Sequence, residues 1–185
     1  IHHIPPVDLG HVDLVDTPDA LGLLLETYLS LGDLHPAFDL AFRWLELHRP
    51  APLGHGLVHG DFRLGNLLFD SSGLAAALDW EITHFGDPGE DLGWLCVRAW
   101  QFGGAKPVGG IGDYQELLDA YEAASGTRVD PTALRWWEIY GTLRWGVICL
   151  QLGGDFRAGR SGSVEMATIG RRVVENAYDV LRLLP

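Results

Sequence analysis

The fold is decided by residues 56–91, which read GLVHGDFRLGNLLFDSSGLAAALDWEITHFGDPGED. Three short apolar runs in this stretch are typical of strands: residues 56–59, 66–69 and 74–78. Turn-forming residues 70–73 separate the second and third runs, and this pattern predicts a β-hairpin. Polar side chains crowd the segment before the hairpin and the residues after it.

Helical patterns lie on both sides of this stretch. Helices are predicted to begin at six places: Thr17, Pro36, Pro88, Asp113, Asp130, and Ser161 or Ser163. In the last helix the spacing predicts an inward face made of Val173, Val174, Ala177, Tyr178 and Leu181. The sequence therefore predicts a mainly α (α+β) domain with one small central hairpin.

The 185-residue chain carries a formal charge of −12, and its first half holds the whole excess. Residues 1–92 contain 15 Asp and Glu against 3 Arg, whereas the two signs balance in residues 93–185. This charge speaks against a nucleic-acid partner. It suits a cationic substrate or a metal ion, unless these are ordinary solvated carboxylates.

Two further features bear on location. No apolar run approaches the roughly 18 residues of a membrane span, so no membrane partner is expected. The two cysteines form no disulfide framework, which favours a cytoplasmic protein.

Three oxygen-bearing side chains around the hairpin point to chemistry. Asp61 lies in the preceding loop, Asn66 follows five residues later, and Asp79 ends the third run. Strand pairing brings residues that flank a hairpin close together. Asn and Asp oxygens suit Mg²⁺, and a separate Asp can take a proton from an attacking hydroxyl. Such a set fits phosphoryl transfer, with ordinary turn and cap residues as the alternative.

These residues resemble the aminoglycoside phosphotransferase and choline kinase superfamily. The similarity lies in HGD at residues 59–61 with Asn66, LDWE at residues 78–81, and GDP at residues 86–88 followed by Asp91. The later Trp-rich helices look like a subgroup related to the kinase-like part of acyl-CoA dehydrogenase fusion proteins. The resemblance implies a protein-kinase-like fold, of which this chain would be the helical carboxy-terminal lobe.

The resemblance also implies a role for each matching residue. Asp61 would be the catalytic base, while Asn66 and Asp79 would hold Mg²⁺ and, through it, ATP. Glu81 matches an acidic position beside the metal, with a salt bridge as the alternative. The catalytic loop would be braced by His59, Asp87 and Asp91. A possible substrate pocket would contain Arg63, Arg98, Trp100, Trp137 and Arg144, with core packing as the alternative for the Trp-rich helix.

The implied function is an ATP-dependent phosphotransferase that moves the γ-phosphate to the hydroxyl of a small molecule. Relatives grip the nucleotide phosphates with a strand lysine in an amino-terminal lobe, but Lys106 lies in a Gly/Pro-rich loop after the catalytic segment. We therefore expect residues 1–185 to form the carboxy-terminal lobe alone, with little activity by itself. The face that the absent lobe leaves exposed could pair two copies as a homodimer.

Three alternatives stay open from the sequence. The chain could be a non-catalytic kinase-like binding module, or an inactive fragment of the kinase. A metal-dependent hydrolase is a third possibility, although its closely spaced histidine ligands are not found in the sequence.

Overall fold

Helices make up most of the structure, and two small antiparallel sheets lie around the polar segment. The computed structural model describes residues 1–5 and 14–185. In chain order the elements are α1 (Ala20–Leu31), α2 (Pro36–Leu47), β1 (Gly56–Val58), β2 (Leu67–Asp70), β3 (Gly73–Ala77), β4 (His84–Gly86), α3 (Gly89–Cys96), α4 (Tyr114–Ser125), α5 (Pro131–Arg157), α6 (Val164–Gly170) and α7 (Val173–Leu183). The predicted mainly helical α+β class is confirmed. None of the helices in this described part has both the length and the hydropathy needed to cross a membrane.

The predicted hairpin is formed by β2 and β3, with two differences from the expected turn. Asp70 pairs with Gly73, so the connection is the two residues Ser71 and Ser72 rather than four. The register shifts by one residue after Leu68, and this β-bulge bends the ladder. The sequence pattern does not indicate β4, which pairs with β1 and so closes the segment that carries the polar side chains.

The chain divides into two units, and the first holds all four strands with α3 and α4 (Ile1–Pro18 and Pro50–Glu138). Its apolar cluster joins residues from α3, α4, the start of α5 and the connections between these helices: Leu92, Cys96, Val108, Leu118, Val129 and Leu134. Trp137 packs closely against α3 because Gly93 has no side chain. A Cβ at Gly93 would lie 2.3 Å from the carbonyl carbon of Trp137, far inside van der Waals contact.

The second unit consists of Asp19–Arg49 and Ile139–Pro185 and contains α1, α2, α6 and α7. Its core is aromatic on the α1 and α2 side, where Tyr28 stacks on Phe42 with ring centroids 5.2 Å apart. One face of α2 is buried, and it consists of Phe38, Ala41, Phe42 and Leu45. These contacts hold the two helices together through a few large side chains.

Three helix predictions in the second unit need correction. Asp19, not Thr17, caps α1, because its side chain accepts from the backbone N–H of Gly22. The single last helix is two helices, with α6 capped by Ser163. The predicted inward face of α7 is wrong for three of its members, since the exposed residues include Val174, Tyr178 and Leu181. Val173 is buried as predicted, and the helix also buries Val180 and Asn176, whose amide donates to the carbonyl of Arg172.

Candidate active site

The loop between β1 and β2 carries the HGD motif and turns sharply at Gly60. Gly60 has a φ of +84°, a left-handed conformation that side chains rarely adopt. A Cβ here would also lie 2.7 Å from the carbonyl oxygen of Ile82. The loop therefore requires glycine at this position, both for its backbone angle and for space.

Two residues fix the backbone just before Asp61. The buried carboxylate of Asp91 accepts from the N–H of His59 at 2.8 Å and from that of Gly60 at 2.9 Å. The His59 ring bridges two residues. Its Nδ1 accepts from the N–H of Asp61 at 3.2 Å, and its Nε2 lies 2.9 Å from the carbonyl oxygen of Leu78. Since Nδ1 accepts, the ring proton is on Nε2. Asp91 and His59 thus anchor the HGD backbone from both sides.

Asp87 anchors the other end of the same region. Its carboxylate accepts from the N–H groups of Leu53 and Gly89, at 2.9 and 2.8 Å, and so ties the segment before β1 to the start of α3. Burial raises the pKa of Asp87 above its usual value, although these two hydrogen bonds oppose the change. Asp87 contacts the backbone of the chain rather than the polar side chains of the loop.

The Asp61 carboxylate is the point where the polar side chains of the loop converge. Trp94 Nε1 donates to Oδ1 at 2.7 Å, and Asn66 Nδ2 donates to Oδ2 at 2.7 Å. Arg63 Nε is 3.1 Å from both oxygens. Each carboxylate oxygen therefore accepts from two donors, and the side chain is held in one orientation.

Arg63 connects Asp61 to an aromatic surface. Its guanidinium carbon lies 5.0 Å from the centroid of the Trp100 ring, within the range of a cation–π contact. Trp100 in turn packs against Trp94 with ring centroids 5.2 Å apart. Two of the predicted pocket residues, Arg63 and Trp100, are therefore in contact beside Asp61.

The hairpin places Asn66 and Asp79 at its open end. The Leu78 N–H donates to the carbonyl of Asn66 at 2.8 Å, which extends the ladder by one bond beyond Leu67 and Ala77. Asp79 is the next residue, and its side chain is exposed. Asp79 has a φ of +70°, a conformation that costs energy for any residue with a Cβ and that is frequent at functional sites.

The side chains at this end of the hairpin suit a hard cation that keeps water and phosphate ligands. Asn66 uses its amide nitrogen on Asp61, so its oxygen is the atom left for a metal. Within residues 1–5 and 14–185, no three His, Cys, Asp or Glu side chains form a metal-binding group. Mg²⁺ needs no such group, because it is commonly held by one or two carboxylates together with substrate phosphates. Asn66 and Asp79 fit that requirement, and Glu81 lies exposed two residues further on.

The remaining predicted pocket residues are Trp137, Arg98 and Arg144. Trp137 is buried against Gly89 and Gly93, which supports core packing rather than substrate contact. Arg98 is exposed in the short turn after α3, and Arg144 belongs to the second unit.

Two residues that contact this site were not predicted. Trp94 lies three residues after Asp91 on α3, and residues at that spacing share a helix face, which is the one sequence signal that could have found it. His2 contacts Asp91 through Nε2 at 3.0 Å, and nothing in the sequence indicates a contact across 89 positions.

The chain is similar in sequence to known proteins over part of its length. The sequence model of the Phosphotransferase enzyme family matches residues 3–137, well over half of the chain. Acyl-CoA dehydrogenase family member 10 of Mus musculus is 44% identical over 64 residues, and member 11 of Rattus norvegicus is 41% identical over 65. Each match covers 34% of this chain but only 6% and 8% of those proteins.

Solved structures share the fold along nearly the whole chain. A candidate aminoglycoside phosphotransferase from Ralstonia eutropha gives a TM-score of 0.75 at 23% identity, covering 96% of this chain and 59% of that one. A choline/ethanolamine kinase family protein from Mesorhizobium loti gives 0.65 at 18% identity, covering 94% and 55%. This chain thus spans a little over half of each structure. The predicted fold, the helical lobe of a protein-kinase-like structure, is confirmed.

Proposed function

Because the chain belongs to the phosphotransferase enzyme family, we propose that it is the catalytic-loop lobe of a kinase that phosphorylates a small-molecule hydroxyl. One observation carries this proposal. Asp61 and Asn66 form a hydrogen-bonded pair at the end of the hairpin that also presents Asp79. Ordinary turn residues are not expected to form a pair like that of Asp61 and Asn66, whereas phosphoryl transfer requires a base and metal ligands side by side.

Asp61 is the proposed base. The substrate hydroxyl donates its proton to the Asp61 carboxylate, and the hydroxyl oxygen forms a bond to the γ-phosphorus of the nucleotide. The bond between that phosphorus and the β,γ-bridging oxygen breaks, and the nucleoside diphosphate leaves with the electron pair. Asp61 also orients the hydroxyl, which is the larger part of the task in a reaction governed by positioning.

Arg63 is the donor that yields when substrate binds. Both oxygens of Asp61 are already engaged, so an incoming hydroxyl has to replace one of the three donors. Trp94 and Asn66 are buried, whereas the Arg63 side chain is 25% exposed and free to reorient towards solvent.

Asn66 and Asp79 are the proposed metal ligands, with Glu81 nearby. When bound there, Mg²⁺ would neutralise charge on the nucleotide phosphates. The chain's own contribution is to hold the Asn66 amide: its nitrogen donates to the backbone and side-chain oxygens of Asp61, at 3.0 and 2.7 Å, which fixes the direction of its oxygen. ATP is the proposed phosphate donor. Among the structural neighbours, the Streptococcus pneumoniae choline kinase LicA, whose TM-score is 0.51, is described in complex with AMP.

The grip on the nucleotide phosphates is proposed to come from outside residues 1–185. Lys106 is the sole lysine of the sequence, and its Nζ lies 2.7 Å from Asp113 and 3.4 Å from Glu116 at the start of α4. It therefore neutralises carboxylates on its own surface. By this reasoning the chain has little activity unless a second lobe is present.

The test is a screen for phosphoryl transfer by the full-length protein with Mg²⁺, ATP and a panel of small hydroxyl compounds, measured as ADP release. Asp61→Ala is expected to lower turnover by roughly 10²–10⁴-fold, the usual contribution of a general base. Asp79→Asn is expected to abolish turnover without unfolding the protein.

The matched control is Asp119→Asn, which removes an exposed carboxylate from α4 and should leave turnover unchanged. Turnover that survives both Asp61→Ala and Asp79→Asn would contradict the proposal. Nucleotide binding without turnover of any compound would favour the non-catalytic module instead.

A further inference from the structure

A chain of hydrogen bonds joins α4 to the catalytic loop through His2. The Tyr121 hydroxyl lies 3.0 Å from His2 Nδ1, and His2 Nε2 lies 3.0 Å from Asp91 Oδ2. The His2 and Tyr121 rings also contact each other, with centroids 5.7 Å apart. Asp91 is the carboxylate that holds the N–H groups of His59 and Gly60, so His2 stands one contact away from the HGD backbone.

The directions of these hydrogen bonds are set by Asp91. Its carboxylate contacts only donors, so Nε2 of His2 carries a proton and donates it. In the neutral ring, Nδ1 then accepts from the Tyr121 hydroxyl. His2 thus supplies Asp91 with a donor that is itself held in place by α4.

Asp91 needs this third donor because it is buried. Its side chain is 1% exposed, and Oδ2 accepts from both His2 and the His59 N–H. A buried carboxylate that loses a donor pays the cost of its lost solvation. Without His2, the side chain would rotate towards other donors or water, and the two loop hydrogen bonds would weaken with it.

A second feature fixes His2 against β1 independently of its ring. The carbonyl oxygen of His2 lies so close to Gly56 that a Cβ at Gly56 would be 2.4 Å from it. The backbone of His2 is therefore seated on the first residue of the strand that leads into the catalytic loop. Both the main chain and the side chain of His2 contact elements that position Asp61.

We propose that His2 is a positioning residue for the catalytic loop, a role that rests on the proposed function of Asp61. Through Nε2 it fixes the Asp91 carboxylate, which holds the His59 and Gly60 amides and thereby sets the Asp61 side chain. His2 lies outside the three motifs of the loop and contacts neither Asp61 nor the hairpin end.

Amide hydrogen exchange measured by NMR tests this directly, because the two amides held by Asp91 report on the brace. In His2→Ala, protection of the His59 and Gly60 amides is expected to fall by roughly tenfold or more, as follows from the loss of a hydrogen bond to a charged group. Protection of the buried Leu134 amide in α5 should stay unchanged. His2→Gln keeps an N–H donor at the position of Nε2 and is expected to restore most of the protection.

A second pair of variants covers the case in which His2→Ala loses protection throughout. Gly56→Ala pushes the His2 carbonyl away without changing the ring, whereas Gly54→Ala adds a methyl group to open space two residues earlier. We expect Gly56→Ala to expose the His59 and Gly60 amides and Gly54→Ala to leave them protected. Unchanged exchange at both amides in His2→Ala, or equal behaviour of the two glycine variants, would overturn the proposal.

Turnover of the full-length protein completes the test. A positioning role predicts that His2→Ala lowers kcat with little change in the KM for ATP, and that His2→Gln recovers kcat. If exchange responds but kcat does not, His2 stabilises the loop without positioning Asp61, and the proposal is wrong. If Asp61→Ala keeps full turnover while exchange responds as expected, the proposed function fails and the brace through His2 and Asp91 remains.

Discussion

Replacing Asp61 with Asn is expected to destabilise the protein, although removal of a charge from an active site often has the opposite effect. The reason is the set of donors around the carboxylate. Trp94 and Asn66 each donate to a different oxygen at 2.7 Å, and Arg63 donates to both. An Asn side chain has one acceptor oxygen and one NH₂ group, so whichever way it turns, the NH₂ group faces a donor.

The size of the effect follows from these contacts. A hydrogen bond to a charged group contributes about 1.5–3 kcal/mol, and a buried donor left without an acceptor costs a similar amount. Rotation of the Asn66 amide would not recover this, because Asn66 Nδ2 would then lose its hydrogen bond to the backbone oxygen of Asp61. We therefore expect Asp61→Asn to lower the free energy of unfolding by about 1.5–3 kcal/mol. At about 2–4 °C per kcal/mol for a chain of this size, Tm would fall by about 3–12 °C.

Urea unfolding at pH 7, followed by tryptophan fluorescence and extrapolated linearly, measures this free energy. Asp79→Asn is the matched control, since it makes the same chemical change at an exposed residue. Asn tolerates the positive φ of that position as well as Asp does, so its unfolding free energy should stay within about 0.5 kcal/mol of the original. An Asp61→Asn variant as stable as the original protein or as Asp79→Asn would refute the reasoning, because it would mean that the three donors do not converge on Asp61.

Two further predictions concern stability. Gly93→Ala should lower the free energy of unfolding by about 1–3 kcal/mol or more, because its methyl group meets the backbone of Trp137. Gly154→Ala adds a methyl group to open space on α5 and should raise that free energy by up to about 1 kcal/mol. Urea unfolding of both variants checks this, and equal effects would contradict it. Burial raises the pKa of Tyr28 from 10.0 to about 12, so the stability that its protonated hydroxyl provides is complete below pH 10 and is lost as pH rises towards 12. Unfolding measured against pH should show a loss of roughly 2–3 kcal/mol over this window that Tyr28→Phe does not share, and parallel curves would show that folding does not raise the pKa of Tyr28.

The parts of the fold that were predicted correctly depend on local chemistry. Helices α2 and α4 begin at Pro36 and after Asp113 as predicted, and Asp113 forms a capping box with Glu116 at the start of α4. Each of these signals acts within a few residues of itself, so it can be read without knowing the tertiary structure. The position of the HGD loop before the hairpin was predictable for the same reason.

The parts that were missed depend on contacts between distant residues. The strand β4 has three residues, and it exists because β1 supplies its hydrogen-bonding partner. The apolar side chains of α7 form one broad stripe, and packing buries only one edge of it, with Val173 and Val180, while Val174 and Leu181 stay exposed. Trp94 is one of seven tryptophans in the sequence, and only the fold brings its Nε1 to Asp61.

Different residues hold the backbone of the catalytic loop and the carboxylate of Asp61. Asp91 and His59 fix the backbone before Asp61, whereas Trp94, Asn66 and Arg63 hold the carboxylate itself. If Arg63 leaves, each oxygen of Asp61 still keeps one donor at 2.7 Å, because Trp94 serves Oδ1 and Asn66 serves Oδ2. A substrate hydroxyl can therefore take the place of Arg63 without disturbing the loop. The most exposed donor is thus the one whose departure costs the site least, and this is why we assign the exchange with substrate to Arg63.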